Sequence, residues 1–187
     1  MHSFIEDICD NPVIAAAQSR EALEAALAFG VSNIILLGTD IFSAKACVDA
    51  AKSAGSRIFL HMDLIDGLAS GSRALDYVYS SMEPSGIIST HTSLIKYARE
   101  QGIFCIQRFF AVDSASLGDA VRTAARIKPS MAELMPGIIP GVIQRFTQAV
   151  DIPVIAGGLI TQRQEAVAAL SAGAVGISTS CRDLWHE

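Results

Sequence analysis

Charged and aromatic residues are both scarce in this 187-residue chain, at 18% and 6% respectively. Few aromatics leave little to stack nucleobases on, so an RNA-recognition fold built on aromatic platforms is excluded. The four cysteines, Cys9, Cys47, Cys105 and Cys181, form no Cys-x-x-Cys pair. That removes zinc ribbons and dithiol redox motifs and leaves reduced thiols, with Cys47 and Cys105 read as small core residues. There is no Gly-x-Gly-x-x-Gly and no Walker loop, so dinucleotide and nucleoside-triphosphate sites have no support. Mean hydropathy is +0.40, yet no apolar run approaches the ~18 residues of a spanning helix. Residues 1–11 carry Glu6, Asp7 and Asp10 without a basic start or an apolar stretch. No export signal is expected, and the location expected is the cytoplasm. The formal charge of −5 means that any contact with nucleic acid needs a local basic patch.

What the chain has is aliphatic surface, with 51% hydrophobic residues. Short runs of Val, Ile and Leu recur at near-regular intervals, each followed by a segment of helical spacing. Such continuous runs suit parallel strands covered by helices. Strands are predicted over residues 12–17, 33–37, 57–63, 86–90, 104–108, 131–135, 154–156 and 174–178. Helices are predicted over 20–29, 42–54, 73–82, 93–101, 116–127, 141–150 and 162–172, with a vestigial last one over 182–185. Gly30, Gly55, Gly102 and Gly173 each follow a periodic segment and mark helix ends. Thr161 with Gln164 suggests a capping box. The expectation is an α/β fold in one domain over residues 1–187, a compact (β/α)8 TIM-type barrel with a short last helix. An open five-stranded sheet would leave three repeats unplaced.

In such a barrel the loops after the last two strands commonly hold phosphate on unpaired backbone amides. Gly157 and Gly158, then Ser178, Thr179 and Ser180, stand at those two strand ends. They are read as a phosphate cradle, or more plainly as a turn and a helix cap. Strand alternation puts His61 and Asp63 on one face, directed into the barrel mouth, where polar groups need a partner or a ligand. Asp66, Gln107 and Glu133 join the same rim, along with Gln18, Thr39, Asp40 and Arg108. A phosphate opposite hydroxyl-binding groups suggests a small polyol phosphate. The spacing of His61, Asp63 and Glu133 matches no metal motif, and no metal or cofactor is expected.

Six ordered motifs carry a resemblance: His61–Gly67, Pro84–Thr90, Gln107-Arg108, Leu134–Pro140, Ile155–Ile160, and Ser178-Thr179-Ser180 with Leu184-Trp185. Together they resemble the glycerol-3-phosphate-responsive antiterminators, regulators of glycerol uptake operons. The resemblance implies a barrel that binds glycerol 3-phosphate and then an mRNA leader. It further implies that Gly157, Gly158, Ser178, Thr179 and Ser180 hold phosphate, while His61, Asp63, Gln107 and Glu133 face glycerol. Two positions depart from the pattern. His91 stands where a basic residue is expected, and Cys181 stands where Asn is expected.

The residues themselves leave three functions open. A metabolite-sensing RNA-binding regulator needs a basic stripe, for which Arg122 and Arg126, with Lys128 and Arg108 or Arg145, are the candidates. A homo-oligomer would double such a patch. An enzyme acting on a polyol or sugar phosphate would use His61, Asp63 and Glu133, but no lysine stands among the strand ends for Schiff-base chemistry. A ligand sensor that docks a protein is the third.

Overall fold

The computed structural model describes residues 2–186. A helix α1 (His2–Asp10) precedes β1 (Val13–Ala17), α2 (Arg20–Ala28) and β2 (Asn33–Leu36). After a short β3 (Thr39–Asp40) come α3 (Ala44–Ser53), β4 (Arg57–His61), a 3-10 turn over Met62–Leu64, and β5 (Ile65–Asp66). Then follow α4 (Ser72–Met82), β6 (Gly86–Ser89), α5 (Thr92–Glu100), β7 (Cys105–Phe110) and α6 (Ser114–Ile127). The chain ends through β8 (Met131–Met135), α7 (Pro140–Ala149), β9 (Val154–Gly157), α8 (Arg163–Ser171), β10 (Gly176–Thr179) and a 3-10 turn over Arg182–Leu184. Eight strands close in the order β1-β10-β9-β8-β7-β6-β4-β2, all parallel, as the repeat predicts.

Alternation along the strands sorts side chains into two shells. Ile14, Ile35, Phe59, Ile88, Ile106, Met131 and Ile155 fill the barrel interior. Their neighbours, such as Leu36, Leu60 and Ile87 on one side and Leu134 and Ala156 on the other, pack under the helices. Cys47 and Cys105 are buried in that outer layer, where burial raises both thiols above their usual range. They are core residues, as read from their surroundings.

Three features depart from the sequence reading. The acidic N-terminal segment is a helix, α1, whose Ile8 is buried in the interior cluster; Asp7 pairs with Arg57 at the start of β4. The third barrel strand stops at His61, and Met62–Leu64 turn away from it. Asp63 therefore does not share a strand face with His61. The rest of that run forms a separate two-stranded sheet with Thr39 and Asp40. Finally, the capping box of α8 lies one residue further on, between Gln162 and Glu165. A second box, Asp113 with Ser116, starts α6, because Asp113 accepts from the Ser116 amide at 2.7 Å.

Candidate functional site

At the C-terminal end of the barrel the interior turns polar. Arg108 stands in register beside Glu133 on the adjacent strand, and Ser178 beside Gly157, so these positions form one layer at the mouth. Glu133 is fully buried and accepts from Arg108 Nε and from Ser178 Oγ, each at 2.5 Å. The other two guanidinium nitrogens of Arg108 make no hydrogen bond among the described residues. Above this layer lies a cavity of about 480 Å³, lined by Arg108, Glu133, Gly158, Leu159, Ser178 and Ser180 among others.

The two glycines fit their places closely. A Cβ on Gly157 would stand 2.6 Å from both Glu133 Oε1 and Ser178 Oγ. Gly158 has φ +79°, the left-handed region that glycine enters without strain. The amides of Gly158, Leu159 and Ser180 meet no acceptor among the described residues, and they border the cavity. Thr179 has a different task. Its hydroxyl donates to Ile160 O at 2.6 Å and accepts from the Cys181 amide at 3.0 Å, and its carbonyl accepts from Trp185 Nε1 at 2.9 Å. It fastens the two loops together.

His61 ends β4 at the same end of the barrel and Asp63 follows it in the 3-10 turn, both outside the lining of this cavity. His61 is buried and its Nδ1 has no partner among the described residues. Burial, then the nearby Arg108 charge, depresses its pKa to about 4, against an opposing pull from Asp63. The imidazole is therefore neutral at neutral pH. Asp63 accepts from the Ser89 hydroxyl, and from the Thr90 amide and hydroxyl at 2.7 Å each. Burial pushes its carboxyl up, but these hydrogen bonds outweigh it and leave the pKa below the ordinary value. Asp63 thus binds the turn between β6 and α5.

The remaining expected site residues fall elsewhere. Gln107 lies on the face of β7 opposite Arg108, its Nε2 donating to the carbonyls of Ser89, Thr90 and Arg108 at 3.0–3.2 Å. It supports the same turn from beneath. Asp66 is exposed in the small accessory sheet and does not line the cavity. Arg108 was expected on a surface stripe with Arg122 and Arg126. Its burial against Glu133 inside the mouth corrects that, because strand alternation turns it inward. His91 is also displaced from the mouth: it caps α5 and lines a second, outer groove with Lys96, Arg99 and Arg126. Cys181 stays beside the cradle, its Sγ 3.5 Å from Thr161 O.

The loops after β9 and β10 and the end of β4 at His61 thus share one rim, and Arg108 on β7 stands between them in the strand order. Among the described residues no cluster of three or more His, Cys, Asp or Glu side chains is placed to hold a metal ion. The family model of the glycerol-3-phosphate responsive antiterminators matches residues 13–185. The chain belongs to that family. It is 35% identical to the glycerol uptake operon antiterminator regulatory protein of Listeria monocytogenes, whose crystal structure superposes with a TM-score of 0.89 over 92% of this chain and 94% of that one. A glycerol uptake operon antiterminator-related protein from Thermotoga maritima is 28% identical, with a TM-score of 0.82 over 94% and 98% of the two chains. The Escherichia coli (strain K12) protein YgcP is 35% identical over 94% of this chain and 92% of its own length. Aldolases at 12–14% identity share the fold alone. As a member of a regulatory family, this antiterminator is a regulator and not an enzyme. No helix among the described residues is long and apolar enough to cross a membrane.

Proposed function

We propose that this antiterminator binds glycerol 3-phosphate, or a closely similar small phosphate ester, in the barrel mouth. In that state it engages an mRNA leader in the cytoplasm and regulates glycerol-uptake genes. The phosphate sits on the amides of Gly158, Leu159 and Ser180, with the Ser180 hydroxyl beside it. The two uncommitted nitrogens of Arg108 supply the charge, in the forked geometry that suits phosphate. Glu133 holds that guanidinium in place. The glycerol end lies toward His61, whose neutral imidazole offers a buried nitrogen to a hydroxyl. Asp63 and Gln107 act one step back, by holding the turn at Ser89 and Thr90.

The observation that carries this reading is the unpaired amides of Gly158, Leu159 and Ser180 beside an arginine with free donors. Backbone donors that border a cavity beside a cation form a site that an anion completes. The test is fluorescence anisotropy with the leader transcript upstream of the glycerol-uptake genes in the same genome. Glycerol 3-phosphate should tighten RNA binding, and the affinity should fall with salt. RNA affinity indifferent to glycerol 3-phosphate would refute the coupling.

A further inference from the structure

A groove of about 850 Å³, more voluminous than the mouth cavity, lies on the flank between α5 and α6. Lys96, Arg99 and Arg126 line it, with Thr90 and His91 at its upper end and Glu100 as its one carboxylate. Three cations around one hollow stand out in a chain of net charge −5. They are also weakly committed. Lys96 meets Glu100 only at 3.9 Å, with both side chains largely exposed, and Arg99 donates to the Ile127 carbonyl at 2.6 Å. Arg126 makes no ion pair among the described residues. By contrast Arg122, four residues earlier on α6, is paired with Asp119 and lies outside the groove.

We infer that this groove seats the phosphodiester backbone of the RNA, and that Thr90 links it to the mouth. This rests on the regulator reading above and adds to it the RNA-binding surface and the path of coupling. Charge complementarity selects the occupant: unneutralised Lys and Arg side chains take phosphates, and the hydroxyls of Thr92 and Ser93 at the same wall add donors. The path is a short chain of hydrogen bonds. Thr90 lines the groove and gives both its amide and its hydroxyl to Asp63, which follows His61 at the mouth. Gln107 grips the Ser89 and Thr90 carbonyls from the other side. A ligand that shifts His61 or Asp63 moves the turn that forms the upper wall of the groove.

The test compares two double variants with equal loss of charge, measured with the leader transcript by anisotropy over a salt series, with and without glycerol 3-phosphate. Lys96→Gln/Arg126→Gln removes two exposed groove cations; Arg122→Gln/Arg145→Gln removes two exposed cations elsewhere. The groove variant should lose at least about tenfold in RNA affinity at low salt, and its log-log salt slope should shrink by roughly 1.4, at ~0.7 per single-strand phosphate contact. Calorimetric affinity for glycerol 3-phosphate should be unchanged in both. If wild type binds the transcript and the groove variant binds it equally well, with the same slope, the RNA lies elsewhere and this inference fails while the proposed function stands. A wild type that binds no RNA at either ligand level sinks the regulator reading itself. Poly-glutamate displacing the transcript at equal charge concentration would also overturn the assignment, because the groove would then prefer an acidic polypeptide.

Discussion

Glu133→Gln separates the two tasks assigned to the polar layer of the mouth. Wild-type Glu133 is fully buried and neutralises Arg108, which is only 9% exposed. Removing one member of a buried ion pair costs about 3–5 kcal/mol, because the partner is left uncompensated. Here the pair borders a cavity open to water, so the lower end applies, ~3 kcal/mol, or a fall in Tm of roughly 6–12 °C for a chain of this size. The substitution should nonetheless strengthen ligand binding. A phosphate about 6 Å from the carboxylate, at an effective dielectric near ~20, is repelled by on the order of 3 kcal/mol, and that repulsion disappears. Glycerol 3-phosphate should bind the variant on the order of a hundredfold more tightly than wild type, and inorganic phosphate should gain similarly. Saturating ligand, at about a hundredfold excess over Kd, should return roughly 2.7 kcal/mol or more of the lost stability. Differential scanning fluorimetry and calorimetry read both quantities. A variant as stable as wild type, or one that binds phosphate esters more weakly, would refute the view that Glu133 serves to balance Arg108.

Three further outcomes follow from the same geometry. Because the His61 pKa is near 4 in the folded chain against an unfolded value near 6.5, the unfolded state binds more protons between those values. Stability therefore rises with pH across that window, is fully present above about 6.5, and falls by on the order of 3 kcal/mol toward pH 4. Urea melts should show this slope in wild type and lose it in His61→Asn; an unchanged slope would assign the effect elsewhere. The lowered Asp63 acts in a different range, since its contribution is lost only as pH falls below the ordinary aspartate value. Gly157→Ala puts a methyl group 2.6 Å from Glu133 and Ser178 and should cost about 1–3 kcal/mol in chemical denaturation while weakening phosphate binding; a neutral result would mean that the mouth layer yields freely. Thr90→Val removes one of three donors to Asp63 and should reduce the effect of glycerol 3-phosphate on RNA affinity, with little change in ligand-free RNA binding. Retained coupling would place the path elsewhere.

The barrel was legible because each β-α unit repeats the same signals. Aliphatic runs, a periodic helix and a terminal glycine agree with one another at Gly30, Gly55, Gly102 and Gly173, and agreement across levels specifies a fold. The tight turn at Gly157 and Gly158 was legible for a related reason: a backbone that approaches its neighbours closely or takes a positive φ leaves glycine as its trace. Side-chain partnerships were not. Nothing in the order of residues says that Arg108 meets Glu133, since that contact depends on the register of β7 against β8. Alternation could have found it, because Arg108 and Gln107 are neighbours and only one of them can face the interior. The 3-10 turn at Met62–Leu64 broke the alternation on which the pairing of His61 with Asp63 depended. The interior role of α1 was hidden because its buried Ile8 sits among acidic residues. The groove was half visible: Arg126 was in the expected stripe, but Lys96 and Arg99 come from another helix.

Isothermal titration calorimetry of the protein with glycerol 3-phosphate, glycerol and inorganic phosphate, repeated on Arg108→Gln, tests the mouth most directly. Glycerol 3-phosphate should bind at one site per chain, more tightly than either fragment, and the loss of Arg108 should abolish most of that affinity. Equal binding of glycerol, or full affinity without Arg108, would contradict a phosphate held between that arginine and the amides of Gly158, Leu159 and Ser180.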